Sequence, residues 1–256
     1  EWLGAKMAEE YPFALLTSKS RYRLHSQLDS TASNLFANVE DREPVWIHPD
    51  AAKKLGAAGV ELDFERVFKD AKLQEDYLHF TYQLSLACTR AGLKLRIVLE
   101  PSAPFDAPFA KGPEYVVMLY NLHGLHNGPG PKADGAFIRK TVSRMADLPG
   151  KKSVAIATGG CIWQDYRLLG LSRGATRFLS SQEAAALAKE KEASVVRDGA
   201  SAVLHFSYEE DEHHYEVWYA DDETVNAWIT EIANLGIDGV SIWRLGGNVN
   251  IDNVHL

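Results

Sequence analysis

Glu61-Leu62-Asp63-Phe64-Glu65 sets three carboxylates in alternation with two apolar residues, directly after the small residues Gly56 to Gly59 and the β-branched Val60. Side chains of a strand point to alternate faces, so Glu61, Asp63 and Glu65 would share one face. Two environments fit such a face. On an edge strand it is solvated. Inside a barrel or cleft, stacked carboxylates raise one another's pKa and one keeps its proton at neutral pH. That second arrangement makes a general acid able to cleave a glycosidic bond.

The elements around this strand favour the interior. From Ala57 the chain reads strand, helix, strand. Val60 to Phe64 is a strand, Leu73 to Ala91 has helical spacing and stops at Gly92, and Leu93 to Leu99 is β-rich. Tyr115 to Tyr120 is a further strand, followed by a loop rich in Gly and Pro. Phe137 to Leu148 is helical, and Ser153 to Thr158 is a strand closed by Gly159-Gly160. Such alternation predicts parallel strands with crossover helices. The pattern then changes. A helix over Ser180 to Glu192, capped by Ser180 or Ser181, precedes β-rich runs at Ser194 to Arg197, Ala202 to Tyr208 and His214 to Tyr219. These predict a small α+β insertion at about 178–220. A helix over Asp222 to Leu235 and a strand over Gly239 to Trp243 resume the α/β series.

Composition narrows the function classes. The 256 residues are 46% hydrophobic and 24% charged, enough for a sizeable core. A net charge of −8 argues against nucleic acid as a partner. No apolar run is long enough for a membrane span. The opening Glu1-Trp2 looks excised from a longer chain. Cys88 and Cys161 are too few for a disulfide framework, and Cys88 reads as a buried helix thiol. His213 and His214 are adjacent and so face opposite ways on a strand, as surface hairpin residues do. His123 and His126 read as rim residues of the Gly-rich loop. No catalytic metal or cofactor is expected.

Residues 57–256 resemble glycoside hydrolase family 18, in particular its chitinase-like branch of spore-cortex and LysM-associated glycosidases. Gly59 to Glu65 resembles the acidic motif of the fourth barrel strand. Val117-Met118-Leu119-Tyr120-Asn121 resembles the Met-x-Tyr-Asp motif of the sixth. His214 to Tyr219 resembles the insertion before the last strand, and Gly236 to Gly247 the eighth strand with its approach. The resemblance implies a (β/α)8 TIM-barrel-like α/β fold, here incomplete, with strands 4 to 8. It implies Glu65 as general acid, and Asp63 as the group orienting a substrate 2-acetamido whose carbonyl oxygen attacks the anomeric carbon. Tyr120 would bond the acetamido oxygen, Trp243 would be the stacking floor, and Glu61, Met118 and Asn121 would line the substrate. Asn121 stands where the family often has Asp, and Glu61 and Ala58 where it prefers Asp. The implied partner is a polysaccharide containing N-acetylglucosamine, chitin or peptidoglycan glycan, in an extracellular or cell-envelope setting. By default, Tyr120 and Trp243 are core aromatics, and the resemblance is what assigns them to a cleft. The other function class is a carbohydrate-binding partial barrel without turnover.

Residues 1–56 differ in character. Phe13 to Thr17 and Val45 to His48 are short strands around the polar stretch Ser18 to Arg42. Tyr11 to Thr17, Arg21 to Leu28 and Arg42 to Ala52 resemble the C-terminal cofactor-binding domain of molybdopterin oxidoreductases related to dimethyl-sulfoxide reductase. In that family the stretch matching Thr17 to Gln27 lies against the pterin dinucleotide. The chain therefore reads as a junction of two families near residues 50–57, whether fused, recombined or designed. A molybdopterin-binding oxidoreductase fragment is therefore the third function class, although the first 56 residues are not expected to supply the missing barrel strands or an autonomous cofactor domain.

Overall fold

Near-continuous apolar runs such as Leu95, Ile97, Val98 and Leu99 form strands buried on both faces, as parallel sheets demand. The computed structural model describes residues 52–53, 56–125, 127–166, 177–244, 246–248 and 250–255, with the backbone of four earlier strands. His126 and Leu245 lie outside the described residues, as does most of the N-terminal polar stretch. The chain divides into two compact units, residues 1–117 with 145–152, and residues 118–144 with 153–256.

In the first unit, β1 (Phe13–Thr17) pairs in parallel with β5 (Gly59–Asp63), β5 with β6 (Lys94–Leu99), and β6 with β7 (Glu114–Met118, whose last residue belongs to the second unit). The edge of β5 is thus covered by a strand from the N-terminal segment. Between β1 and β5, β2 (Tyr22–Leu24), β3 (Ser33–Asn38) and β4 (Pro44–Ile47) form an antiparallel sheet. The polar stretch read as a connection therefore contains two strands. Its weak apolar alternation hid them. Helix α1 (Ala71–Ala91) starts where Asp70 accepts from the Leu73 N–H at 2.8 Å. It buries Tyr77, Phe80, Thr81, Leu84, Ser85 and Cys88, and stops at Gly92 with φ 70°.

In the second unit, α2 (Gly135–Arg144) precedes β8 (Lys152–Ala157, whose first residue belongs to the first unit), and β14 (Val240–Trp243) pairs with β8 in parallel. The chain between them builds an antiparallel sheet in the order β10 (Arg177–Leu179), β9 (Gly159–Tyr166), β13 (His213–Ala220), β12 (Leu204–Glu210), β11 (Val196–Arg197). Helix α3 (Ser181–Glu190) covers one face, with Ala184 and Ala188 against Ile162, Phe206, Val217 and Tyr219. Its cap is Ser180, in a reciprocal capping box with Glu183. Helix α4 (Asp222–Asn234) buries Val225, Trp228, Ile229 and Ile232 at helical spacing, and its Asp221 cap is held by Arg197 at 2.7 Å.

Gly159-Gly160 follows the end of β8 at Ala157, as the sequence implied, with Gly159 at φ 64°. It also opens β9, a strand the sequence did not signal and that β13 pairs along its length. A Cβ at Gly160 would collide with the Trp218 carbonyl, so a glycine here permits close strand approach. The fold is mixed α/β with parallel strands, of the kind found in a partial TIM barrel. No helix among the described residues is long and apolar enough to cross a membrane.

Candidate active site

In the first unit, β5 alternates as the sequence requires. Val60 and Leu62 are buried, and Glu61 and Asp63 are partly buried. The register sets Glu61 beside Arg96 and Arg96 beside Glu114. Arg96 Nη1 lies 2.9 Å from Glu61 Oε2, and Lys151 Nζ 3.3 Å from Glu114 Oε2. Burial raises the Glu61 pKa, Arg96 lowers it and Glu114 raises it. Glu61, expected to line substrate, forms one rung of a charge ladder across the strands. We predict that Arg96→Met, which leaves Glu61 without its cation and Glu114 with Lys151 alone, destabilises the chain by roughly 2 kcal/mol in urea denaturation. An unchanged midpoint would contradict the ladder.

Asp63 is the last residue of β5. Burial first, then the charges of Glu65, Glu61 and Glu100, push its pKa up from 3.8 to about 6. Its Oδ1 is buried without a hydrogen-bond partner among the described residues, and so is the Tyr77 hydroxyl on α1. Burial pushes the Tyr77 phenol up, with the Asp63 charge adding to it. Among the carboxylates described, the one lifted by a large margin is Asp63, and a value near 6 leaves it mostly ionised at pH 7. Glu65 lies two residues past the strand end and is exposed. The turn after it is fixed by Arg66, at φ 64°, whose N–H donates to Glu100 Oε2 at 2.7 Å. Glu100 was not singled out by sequence. A carboxylate ending the next parallel strand was the available signal.

In the second unit, Met118 ends β7 and is 1% exposed. Its buried side chain is not open to a substrate as expected. Its sulfur receives the Asn121 amide at 3.9 Å, which makes it a support for Asn121. Tyr120 and Asn121 are partly buried just beyond the strand end. The following loop is clamped by Asn127, which accepts from the Gly124 N–H and donates to the Leu122 carbonyl, both at 2.8 Å. Trp163 Nε1 donates to the Asn127 carbonyl at 2.9 Å. The sequence signalled neither residue, because their link spans strand β9, which was missed. His123 Nδ1 sits 3.0 Å from the Gly128 carbonyl, and His214 Nδ1 2.9 Å from Glu209. No cluster of three or more metal-ligating side chains occurs among the described residues.

Trp243 ends β14 and is 43% exposed, with a cis peptide bond to Arg244. It is not a core aromatic. Trp243→Ala should therefore cost well under the ~3–5 kcal/mol of a core tryptophan. If it stacks on a sugar, oligosaccharide affinity should fall about tenfold. Comparing the denaturation midpoint with the dissociation constant checks this. A large midpoint drop at unchanged affinity would contradict it.

Asp63, Glu65, Met118, Tyr120, Asn121 and Trp243 share one topological property. Each lies at or just beyond the carboxyl end of a parallel strand, where (β/α)8 enzymes carry their chemistry.

No family model matches the chain. Over 212 residues it is 26% identical to the cortical fragment-lytic enzyme of Bacillus subtilis, covering 76% of this chain and 48% of that enzyme. A separate 56-residue match, 48% identical, is to trimethylamine-N-oxide reductase of Haemophilus influenzae, covering 22% of this chain and 7% of that protein. Among solved structures, the Bacillus cereus spore cortex-lytic enzyme SleL superposes with a TM-score of 0.72 at 19% identity, covering 94% of this chain and 58% of that one. A chitinase from Chromobacterium violaceum gives 0.68 at 20% identity, covering 79% and 66%. The chain spans about half of the cortical fragment-lytic enzyme and 58% and 66% of the two solved structures, whose fold it shares.

Proposed function

We propose that the chain carries the chemistry of a glycoside hydrolase acting on β-linked N-acetylglucosamine polymers, chitin or peptidoglycan glycan. The observation that carries this reading is the pair at the carboxyl end of β5: an exposed Glu65 beside a partly buried Asp63 with an unsatisfied oxygen. Glu65 delivers its proton to the glycosidic oxygen as the C1–O bond breaks. The substrate's acetamido oxygen bonds C1 from the opposite face, forming an oxazolinium ion. Ionised Asp63 accepts the acetamido N–H and offsets the growing positive charge. Water then opens the oxazolinium, Glu65 takes its proton, and configuration is retained. The family resemblance assigns sugar contacts to Tyr120, Asn121 and the exposed Trp243 of the second unit.

In this reading β5 to β8 and β14 stand for barrel strands 4 to 8, and the antiparallel sheet with α3 is an insertion before the last. Residues 1–56 resemble part of a molybdopterin enzyme, and their β1 joins the parallel sheet beside β5. A second reading, glycan binding without turnover, draws on Trp243, whose exposed ring can stack on a sugar with no acid taking part. Incubation with a chromogenic N-acetylglucosamine oligomer separates the two. Release of chromophore supports hydrolysis. Saturable binding without release establishes the second reading instead.

A further inference from the structure

Thr158 is the single residue between β8 and β9, where the chain leaves the parallel sheet for the antiparallel one. Its N–H donates to the Trp243 carbonyl at 3.0 Å, one step beyond the last β8–β14 pair, Ala157 with Trp243. Its hydroxyl donates to Asn248 Oδ1 at 2.5 Å. The other half of that amide, Asn248 Nδ2, donates to the Arg244 carbonyl at 3.0 Å. Thr158 and Asn248 thus bond to each other and hold the carbonyls of Trp243 and Arg244, one each.

The segment that carries Asn248 is fixed in turn by the first turn of α3. Gln182 donates from its N–H to the Gly247 carbonyl and from its side-chain amide to the Asn248 carbonyl, both at 3.1 Å. Ser181 Oγ donates to the Gly247 carbonyl at 3.3 Å. A Cβ at Gly247 would collide with the Ser180 side chain, so the segment lies directly against the cap of α3.

These bonds converge on the backbone of a side chain that packing holds only in part. Trp243 is the last residue of β14 and is 43% exposed. A ring that offers one face to a ligand loses freedom on binding unless it is held beforehand. Hydrogen bonds from a supporting layer of residues supply that hold.

We infer that Thr158 and Asn248 are positioning residues for Trp243: they clamp its backbone, through a segment anchored on α3, so that the exposed ring is preset to stack on a sugar. This rests on the glycan reading above, in which Trp243 meets the pyranose. Neither residue has to touch the glycan.

The test uses the full chain with Glu65→Gln, titrated with a soluble β-linked N-acetylglucosamine oligomer that is then bound without being consumed. Thr158→Val keeps the shape and the N–H but loses the hydroxyl. It should weaken binding about fivefold, the worth of one net hydrogen bond. Thr158→Ser keeps the hydroxyl and should keep the affinity. In the Trp243→Ala background, Thr158→Val should cost no further affinity, because its effect runs through that ring. Asn248→Asp, which loses the donor to Arg244, should behave as Thr158→Val does and replaces it if that variant misfolds. Fluorine NMR of fluorotryptophan-labelled chain gives a readout free of glycan. The Trp243 resonance, assigned by its loss in Trp243→Phe, should shift or broaden in Thr158→Val. Unchanged affinity in both clamp variants overturns the inference, and so does an equal loss with and without Trp243. A parent chain that binds no oligomer removes the glycan reading, and the clamp is then decided by the Trp243 resonance, which overturns it if unchanged.

Discussion

Glu65→Gln is expected to reduce turnover of an N-acetylglucosamine oligomer at least ~10²-fold while sparing the fold and most of the binding. The amide is nearly isosteric, but it has no proton to deliver to the leaving oxygen. Glu65 is exposed and past the end of β5, so the substitution creates no cavity and strands no buried partner. It also removes the charge that, after burial, contributes most to lifting Asp63. The Asp63 pKa should therefore fall in the variant, a second readout that a merely structural residue would not give. Activity within a few-fold of the parent would exclude Glu65 as the acid.

Asp63→Asn should have two effects of opposite sign. The folded-state pKa of about 6 lies above the ordinary 3.8. Below 3.8 both folded and unfolded states hold the proton, and the group is neutral toward stability. Between the two values the folded state keeps a proton that the unfolded state has lost, so stability falls as pH rises. Above about 6 the penalty is constant, on the order of 2–3 kcal/mol from about two pKa units. The variant should lack this decline, so its stability relative to the parent should improve from pH 4 to pH 8. Its turnover should fall about 10²-fold, because a neutral amide offsets less of the oxazolinium charge. Superimposable stability–pH curves for parent and variant would refute the burial of a charged Asp63.

Much of the α/β series was legible because it rests on local signals. The run from Asp70 to Gly92 has a cap, helical spacing and a left-handed stop, and α1 follows it closely. The acidic alternation of β5 likewise survives into the structure as far as Asp63. Long-range contacts were less readable. Glycine usually punctuates, and β8 does end before Gly159-Gly160, but only the structure shows that Gly160 also permits close packing against Trp218, some sixty residues later in the chain. Glu61 shares its face with Asp63, but only the register with β6 shows that Arg96 claims it. Met118 sits in a motif that implies substrate contact, and only its burial shows that it props Asn121. The strands within Ser18 to Arg42 were missed because their polar residues alternate poorly with apolar ones.

The central claim is that Asp63 and Glu65 direct a substrate-assisted cleavage. Its most direct test is proton NMR of the first product formed from a soluble β-linked N-acetylglucosamine oligomer, recorded before mutarotation. Attack by the acetamido oxygen followed by water is a double displacement, so the new reducing end should appear as the β-anomer. An α-anomer as first product, or equal cleavage of the corresponding oligomer lacking its N-acetyl groups, would contradict the account.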